Sequence, residues 1–257
     1  MSSLSILTAY SLWALLLVGI AGFIAGMARG FSGFGGALIF VPLASTVVGP
    51  VLAAPIFLVA DAIIAAPLIP NAWRIADRKA VAIMVSGTLV GAPLGAFVLT
   101  HSNPDDIRWG ISCLALAMLA LLVSGWRYRA KPLAPVTVGV GAIAGFLNGF
   151  AQIGGPPVVA YWLGSLAPPA TVRGNIILFF AASTVVSAIA YLVAGVFSIS
   201  ILTLAVTAGP FYGIGLYLGT RIFYVANECL FRRICFGLIA LAAIASLPIW
   251  DKLRATS

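Results

Sequence analysis

Charge is what this sequence has least of. Only 8% of its 257 residues are Asp, Glu, Lys or Arg, whereas a soluble domain needs roughly a quarter to solvate its surface. A water-soluble globule is excluded. Acids are scarcer than bases, six Asp and Glu against 14 Lys and Arg, which leaves a formal charge of +8. There is a single histidine, His101, placed in a loop beside Ser102, Asn103 and Pro104; one imidazole cannot build a metal site, and no metal or cofactor is expected. Cys113, Cys229 and Cys235 show no metal or redox spacing and read as small apolar packing residues. No nucleophile and base can be assembled from so few reactive groups, so the chain is not read as an enzyme.

What fills the sequence instead is apolar surface: 62% hydrophobic residues and a mean hydropathy of +1.15. It comes in runs of about twenty residues, enough to cross a hydrocarbon core of ~30 Å at 1.5 Å per helical residue. The runs are continuous rather than alternating, which predicts helices and not barrel strands. Basic residues sit between the runs, where they hold loops on the cytoplasmic side; that distribution excludes nucleic-acid binding as the meaning of the high pI. No cation precedes the first stretch, Tyr10 to Ala28, so it lacks the n-region of a secretory signal and is expected to stay. Eight segments follow: Ala9–Ala28 continuing past a glycine-rich break to Val48, Val51–Ile69, Ala80–Leu99, Ile107–Gly125, Val136–Phe150 continuing past a second break to Leu166, Thr171–Ala194, Ile199–Gly219 and Ile234–Ile249. Trp73, Trp109, Trp126 and Trp250 mark segment ends, as aromatic rings at headgroup level do.

The two halves resemble each other where they are least ordinary. In the first, Arg29-Gly30-Phe31-Ser32-Gly33-Phe34-Gly35-Gly36 leads into an apolar piece with Pro42. In the second, Gly145-Phe146-Leu147-Asn148-Gly149-Phe150-Ala151-Gln152-Ile153-Gly154-Gly155-Pro156-Pro157 does the same. Dense glycine beside proline breaks a helix, although glycine in membranes also serves close helix packing. The expected fold is an all-α polytopic membrane bundle of two four-segment repeats, each starting with a glycine-broken or re-entrant helix. Residues 1–128 form the first repeat, 129–134 a cytoplasmic linker and 135–257 the second repeat.

Charge counting favours inverted repeats. If each broken segment starts and ends on one face, as a re-entrant hairpin or a pair of crossings, then Arg74, Arg78, Lys79, Arg127, Arg129, Lys131, Arg173, Arg221, Arg232 and Arg233 are all cytoplasmic. Only Arg108, Lys252 and Arg254 stay outside. Eight simple crossings fit the positive-inside rule less well. Inverted repeats with discontinuous helices are a recurrent transporter architecture.

A helix broken inside a membrane exposes backbone groups that lipid cannot satisfy, so the breaks must line a polar cavity. The restarting half-helix presents free N–H groups and a positive dipole end, which attract anions. Gly33, Gly35, Gly36, Gly154 and Gly155 would let a ligand approach the main chain, and Pro156 suits a first helical turn. Two opposed restarts would create an anion site near the bilayer midplane. Asn148 and Gln152 would share a face on a continuing helix and could donate to an oxyanion, or only tie helices together. Arg29 either pairs with the oxyanion or snorkels to water. Arg173, with Asn175, draws anions in at the cytoplasmic mouth or anchors its helix. Asp61 is the one acid inside a membrane segment; it is a coupling site for a proton or cation, a partner for Arg29, or a structural hydrogen-bonding group.

At these residues the chain resembles the sulfite exporter TauE/SafE family of membrane permeases. The shared features are Gly33-x-Gly35-Gly36 with Pro42, Gly154-Gly155-Pro156, and Val172-Arg173-Gly174-Asn175. Their duplication across nearly the whole chain carries the resemblance. It departs where Ala37 follows Gly36 and Pro156 follows Gly155, positions at which the family often has a third glycine. The resemblance implies a multi-pass permease of the bacterial inner membrane that exports small anions, sulfite or a sulfoacetate-like organosulfonate, and any proton coupling would rest on Asp61. Uptake of another organic anion is the alternative, ahead of a membrane-embedded enzyme or an assembly subunit. The expected partners are a small anionic substrate and membrane lipid; pairing into a homodimer is left open.

Overall fold

A computed structural model describes residues 12–128, 133–223 and 228–250. All regular structure among these residues is helical, as continuous apolar runs require when the backbone must satisfy itself in lipid. In order the helices are α1 (Leu12–Ser32), α2 (Gly36–Val48), α3 (Pro50–Ala65), a 3-10 turn (Ala66–Leu68), α4 (Ile69–Ile75), α5 (Arg78–His101), α6 (Pro104–Ser124), α7 (Ala134–Ala151), α8 (Gly155–Trp162), α9 (Pro169–Val193), α10 (Ile199–Phe223) and α11 (Glu228–Ala245). Seven stretches are long and apolar enough to cross a membrane: α1, α3 through α4, α5, α6, α7, α9 and α10. This is a multi-pass integral membrane protein.

Both predicted breaks are present, and each folds the chain back on itself. Gly36, the first residue of α2, packs against the Ala25 carbonyl and the Arg29 side chain of α1, and Phe40 lies beside Gly22. Rising residue numbers in α2 meet falling numbers in α1, so the pair is antiparallel. The same holds for α7 and α8. Gly154 lies against Ala144 and Asn148, while at the far end of α8 the Tyr161 hydroxyl hydrogen-bonds Thr137 in the first turn of α7. The Tyr128 ring stacks on Tyr161 at 5.2 Å, and Tyr128 N–H donates to the Ala160 carbonyl at 3.1 Å. Chain that leaves α8 is therefore back at the level where α7 began. Both interruptions are hairpins rather than kinks.

The helices form two compact units, and neither follows the order of the chain. One takes in the described parts of Met1–Ala60, Ser102–Leu119 and Phe197–Ser257, and the other Asp61–His101 and Ala120–Val196. In the first unit α1 packs on α10, and in the second α7 packs on α5. Both pairings depend on glycine. An added Cβ at Gly87, Gly91 or Gly95 of α5 would strike the carbonyls of Val138, Ala142 and Phe146, and one at Gly141 or Gly149 of α7 would strike those of Met84 and Ala92. Gly26 and Gly30 of α1 abut Tyr212 and Leu216 in the same way. Small residues four apart let two backbones touch, the usual solution where hydrophobic burial offers little gain between helices in lipid. Thr88 adds a hydrogen bond to the Gly141 carbonyl at 3.1 Å.

Several expectations change in detail. Gly30, Gly145 and Gly149, read as parts of the breaks, lie inside helices and serve packing. His101 closes α5 instead of lying in a loop, its ring stacked on Phe97 at 4.1 Å. Cys235 is buried as a packing residue, but Cys113 is exposed on α6. Trp73, Trp109, Trp126 and Trp250 are all exposed near helix ends. Linker residues Arg129 and Lys131, the side chains of Cys229 and Arg232, and Lys252 and Arg254 lie outside the described residues.

Candidate functional site

The tip of the first hairpin is built by two glycines in the left-handed region, Gly33 at φ 77° and Gly35 at φ 92°. A Cβ would strain both. Gly33 N–H closes α1 by donating to the Arg29 carbonyl at 2.7 Å. Arg29 occupies the last turn of α1 and is half-buried, where its charge also suits the negative end of the α1 dipole. Helix α2 then restarts with Gly35 as its N-cap, and no side chain caps its first-turn amides. Gly36 is buried against Ala25, Arg29 and the Phe57 ring. Phe57 in turn packs on Phe40 at 5.6 Å and edge-on to Tyr212 at 5.5 Å. The tip thus combines a helix N-terminus, an arginine one turn away and an aromatic wall. By helix rise it lies roughly 30 Å from the start of α1 but only about 20 Å from the end of α2.

The second tip is made differently. Its left-handed residue is not a glycine but Gln152, at φ 58°, so Asn148 and Gln152 do not continue one helical face. Instead they form a knot. Gln152 N–H and Nε2 both donate to the Asn148 carbonyl, at 3.0 and 2.8 Å, and the Tyr191 hydroxyl donates to the same oxygen at 3.2 Å. The Asn148 side chain donates through Nδ2 to Ser183 Oγ at 2.8 Å and accepts at Oδ1 from Gly154 N–H, also at 2.8 Å. Gly154 must be glycine here, because a Cβ would overlap the Ala144 carbonyl. Pro156 and Pro157 contribute no N–H, and that of Gly154 is already engaged. The side-chain amides and the Tyr191 hydroxyl of this restart are spent on one another, with Gly155 left as its first-turn backbone donor.

Three residues of α9 complete this tip and carried no signal in the sequence reading: Ser183, Ser187 and Tyr191. They recur every four residues on one helical face. Ser183 and Tyr191 both touch Asn148, so Ser187 between them faces the same tip. All three are buried, and Ser187 Oγ has no hydrogen-bond partner. A buried polar group without a partner is costly, which sets Ser187 apart from the bonded hydroxyls on either side of it. A polar stripe at spacing four in an otherwise apolar helix was the available clue.

Two expected site residues lie elsewhere. Arg173 is exposed in the first turn of α9, beside the α4–α5 turn and about 15 Å along the helix from Ser183. Its neighbour Asn175 accepts at Oδ1 from Asp77 N–H at 2.7 Å, which ties the two elements together. Asp61 is half-buried near the middle of the Pro50–Ile75 span.

A family model for the sulfite exporter TauE/SafE matches residues 18–246. The chain belongs to the sulfite exporter TauE/SafE family. No curated protein and no solved structure matches it. The TauE/SafE match begins in α1, ends in the residue that follows α11, and so includes both hairpins and every apolar span between them. A TauE/SafE protein is a membrane transporter, and transport gives the two broken helices a purpose that a scaffold would not.

Proposed function

We propose that this TauE/SafE protein exports sulfite or a small organosulfonate of the sulfoacetate type across the bacterial inner membrane, with Asp61 carrying the coupling proton. The observation that supports this most is the first hairpin tip: uncapped amides of α2 beside Arg29, with Gly36 buried at their start. A tetrahedral or pyramidal oxyanion matches that donor set, taking backbone N–H groups at the helix N-terminus and a guanidinium fork. At the second tip, the Ser187 hydroxyl and the Gly155 N–H are the groups that would meet the substrate, with Gln152 and Asn148 holding the turn and Gly154 in place. A carboxylate midway along a membrane span favours a functional role, which is the ground for assigning the coupling step to Asp61.

The sidedness that goes with this reading is inverted. Three passes separate the hairpins: α3 with α4, α5 and α6. A hairpin that starts and ends outside is then followed by one that starts and ends inside, which keeps Arg74, Arg127, Arg173 and Arg221 cytoplasmic.

Flux into proteoliposomes tests the reading. Sulfite, sulfoacetate, sulfate, acetate and benzoate are offered with and without a proton gradient. Sulfite or sulfoacetate should move faster than through protein-free vesicles, and Asp61→Asn should lose the response to the gradient. Flux that never exceeds the protein-free rate removes the substrate assignment, and a gradient response that survives in Asp61→Asn removes the coupling role.

A further inference from the structure

One end of the second unit gathers cations that have no work in the hairpin tips. Arg74 ends α4, Arg78 and Lys79 start α5, Arg173 lies in the first turn of α9, and Arg127 follows α6. All five are exposed. Gly174 packs on Ile75 and Ala76, which brings Arg173 to the α4–α5 turn. Tyr128 belongs to the same cluster as Ala76, Val81, Tyr161 and Val172, which brings Arg127 to that end as well. The one carboxylate of the turn, Asp77, caps α5 by accepting from Lys79 and Ala80 N–H, each at 3.1 Å. Among the described residues none of the five cations pairs with a carboxylate.

Apolar side chains are exposed among these charges. Trp73 is 54% exposed, Trp126 57%, and Leu166, in the loop after α8, fully so. The Arg78 guanidinium lies over the Trp73 ring at 5.6 Å, a stacking that holds it at the level of the indole. Interleaved cations and exposed tryptophan or leucine at the ends of membrane helices match the boundary between headgroups and acyl chains. A soluble anion would need only the charges and would leave the indoles and Leu166 facing water.

We infer that this basic end is a binding site for anionic phospholipid headgroups, with the phosphates held by Arg74, Arg78, Lys79, Arg127 and Arg173 and the acyl chains against Trp73, Trp126 and Leu166. Lipid bound here bridges the α4–α5 turn, the start of α9 and the end of α6, and so reinforces the contacts these segments make through Gly174, Asn175 and Tyr128. Juxtamembrane cations attract anionic lipid in proportion to their number.

The test uses the full chain, delipidated in a neutral detergent, and reads its melting temperature as phosphatidylglycerol, phosphatidylcholine or inorganic phosphate is added. Phosphatidylglycerol should raise it by several degrees, and the other two should not. The combined variant Arg74→Gln, Arg78→Gln, Lys79→Gln, Arg127→Gln should lose most of that rise; the single variants should each lose part of it, and Arg→Lys at the three arginines should retain it. Equal stabilisation by phosphatidylcholine, or a full response in the combined variant, overturns the inference. So does an equal rise with inorganic phosphate, which would make the patch a site for soluble anions. Since the readout is lipid-dependent melting, it stands or falls separately from the flux experiment.

Discussion

Asn148 and Ser187 face the same hairpin tip but stand in opposite relations to the fold. Asn148 satisfies Gly154 N–H and Ser183 Oγ at once, so Asn148→Ala orphans two buried groups. A single interhelical hydrogen bond in a membrane is worth only about 0.6 kcal/mol, but an orphaned buried donor costs about 1–3 kcal/mol; the second term decides. Asn148→Ala should therefore melt well below the parent in detergent. Ser187 has no partner to lose, so Ser187→Ala should melt no lower than the parent. If Ser187 meets the substrate, its variant should instead raise KM severalfold at unchanged melting temperature. Ser187→Ala that melts like Asn148→Ala would return the serine to a purely structural role. Sequence reading singled out Asn148 and Gln152 but assumed a continuing helix. It could not see that Gln152 would take the left-handed conformation, because nothing but the packing of α8 against α7 demands it of a non-glycine residue.

At the scale of elements, most of the helices were legible, because continuous apolar runs in lipid have one solution and the separating charges mark its ends. Hairpin tips were legible where glycine forces them, at Gly33 and Gly35. Which glycines break and which pack was not legible, since the distinction rests on a partner helix distant in sequence: α5 for Gly141, Gly145 and Gly149, and α10 for Gly26 and Gly30. The ladders give a sharp contrast within one helix. Gly145 of α7 lies against Thr88, whereas a Cβ at Gly139, two turns earlier, would meet nothing within 4 Å. Gly139→Ala should stabilise by about 0.5–1 kcal/mol, the helical penalty of glycine. Gly91→Ala, which drives a methyl group into the Ala142 carbonyl, should destabilise by about 1–3 kcal/mol by overpacking. Thermal melting of both variants in one detergent decides the matter. Equal shifts would mean that the α5–α7 contact is looser than the backbone spacing implies.

For the whole molecule the decisive question is which face each loop meets, and the hairpins turn it into arithmetic. A chain that reverses between α7 and α8 returns to the face of residue 128 before α9 starts, so Arg127 and Arg173 share a side and the loop around Gly195–Ser200 takes the other. Had α7 and α8 together made one crossing, Arg127 and Arg173 would lie on opposite faces. Single cysteines introduced at Arg127, Arg173 and Ser198, in a background with Cys113, Cys229 and Cys235 replaced by alanine, separate the two cases. An impermeant thiol reagent added to intact cells should label Ser198→Cys alone, and disruption of the membrane should expose the other two. Labelling of Arg173→Cys from outside while Arg127→Cys stays protected would mean a full crossing at Gln152–Gly155. The inverted arrangement would then lose its second hairpin, and the hydroxyl-lined tip would have to be reread as an ordinary kink.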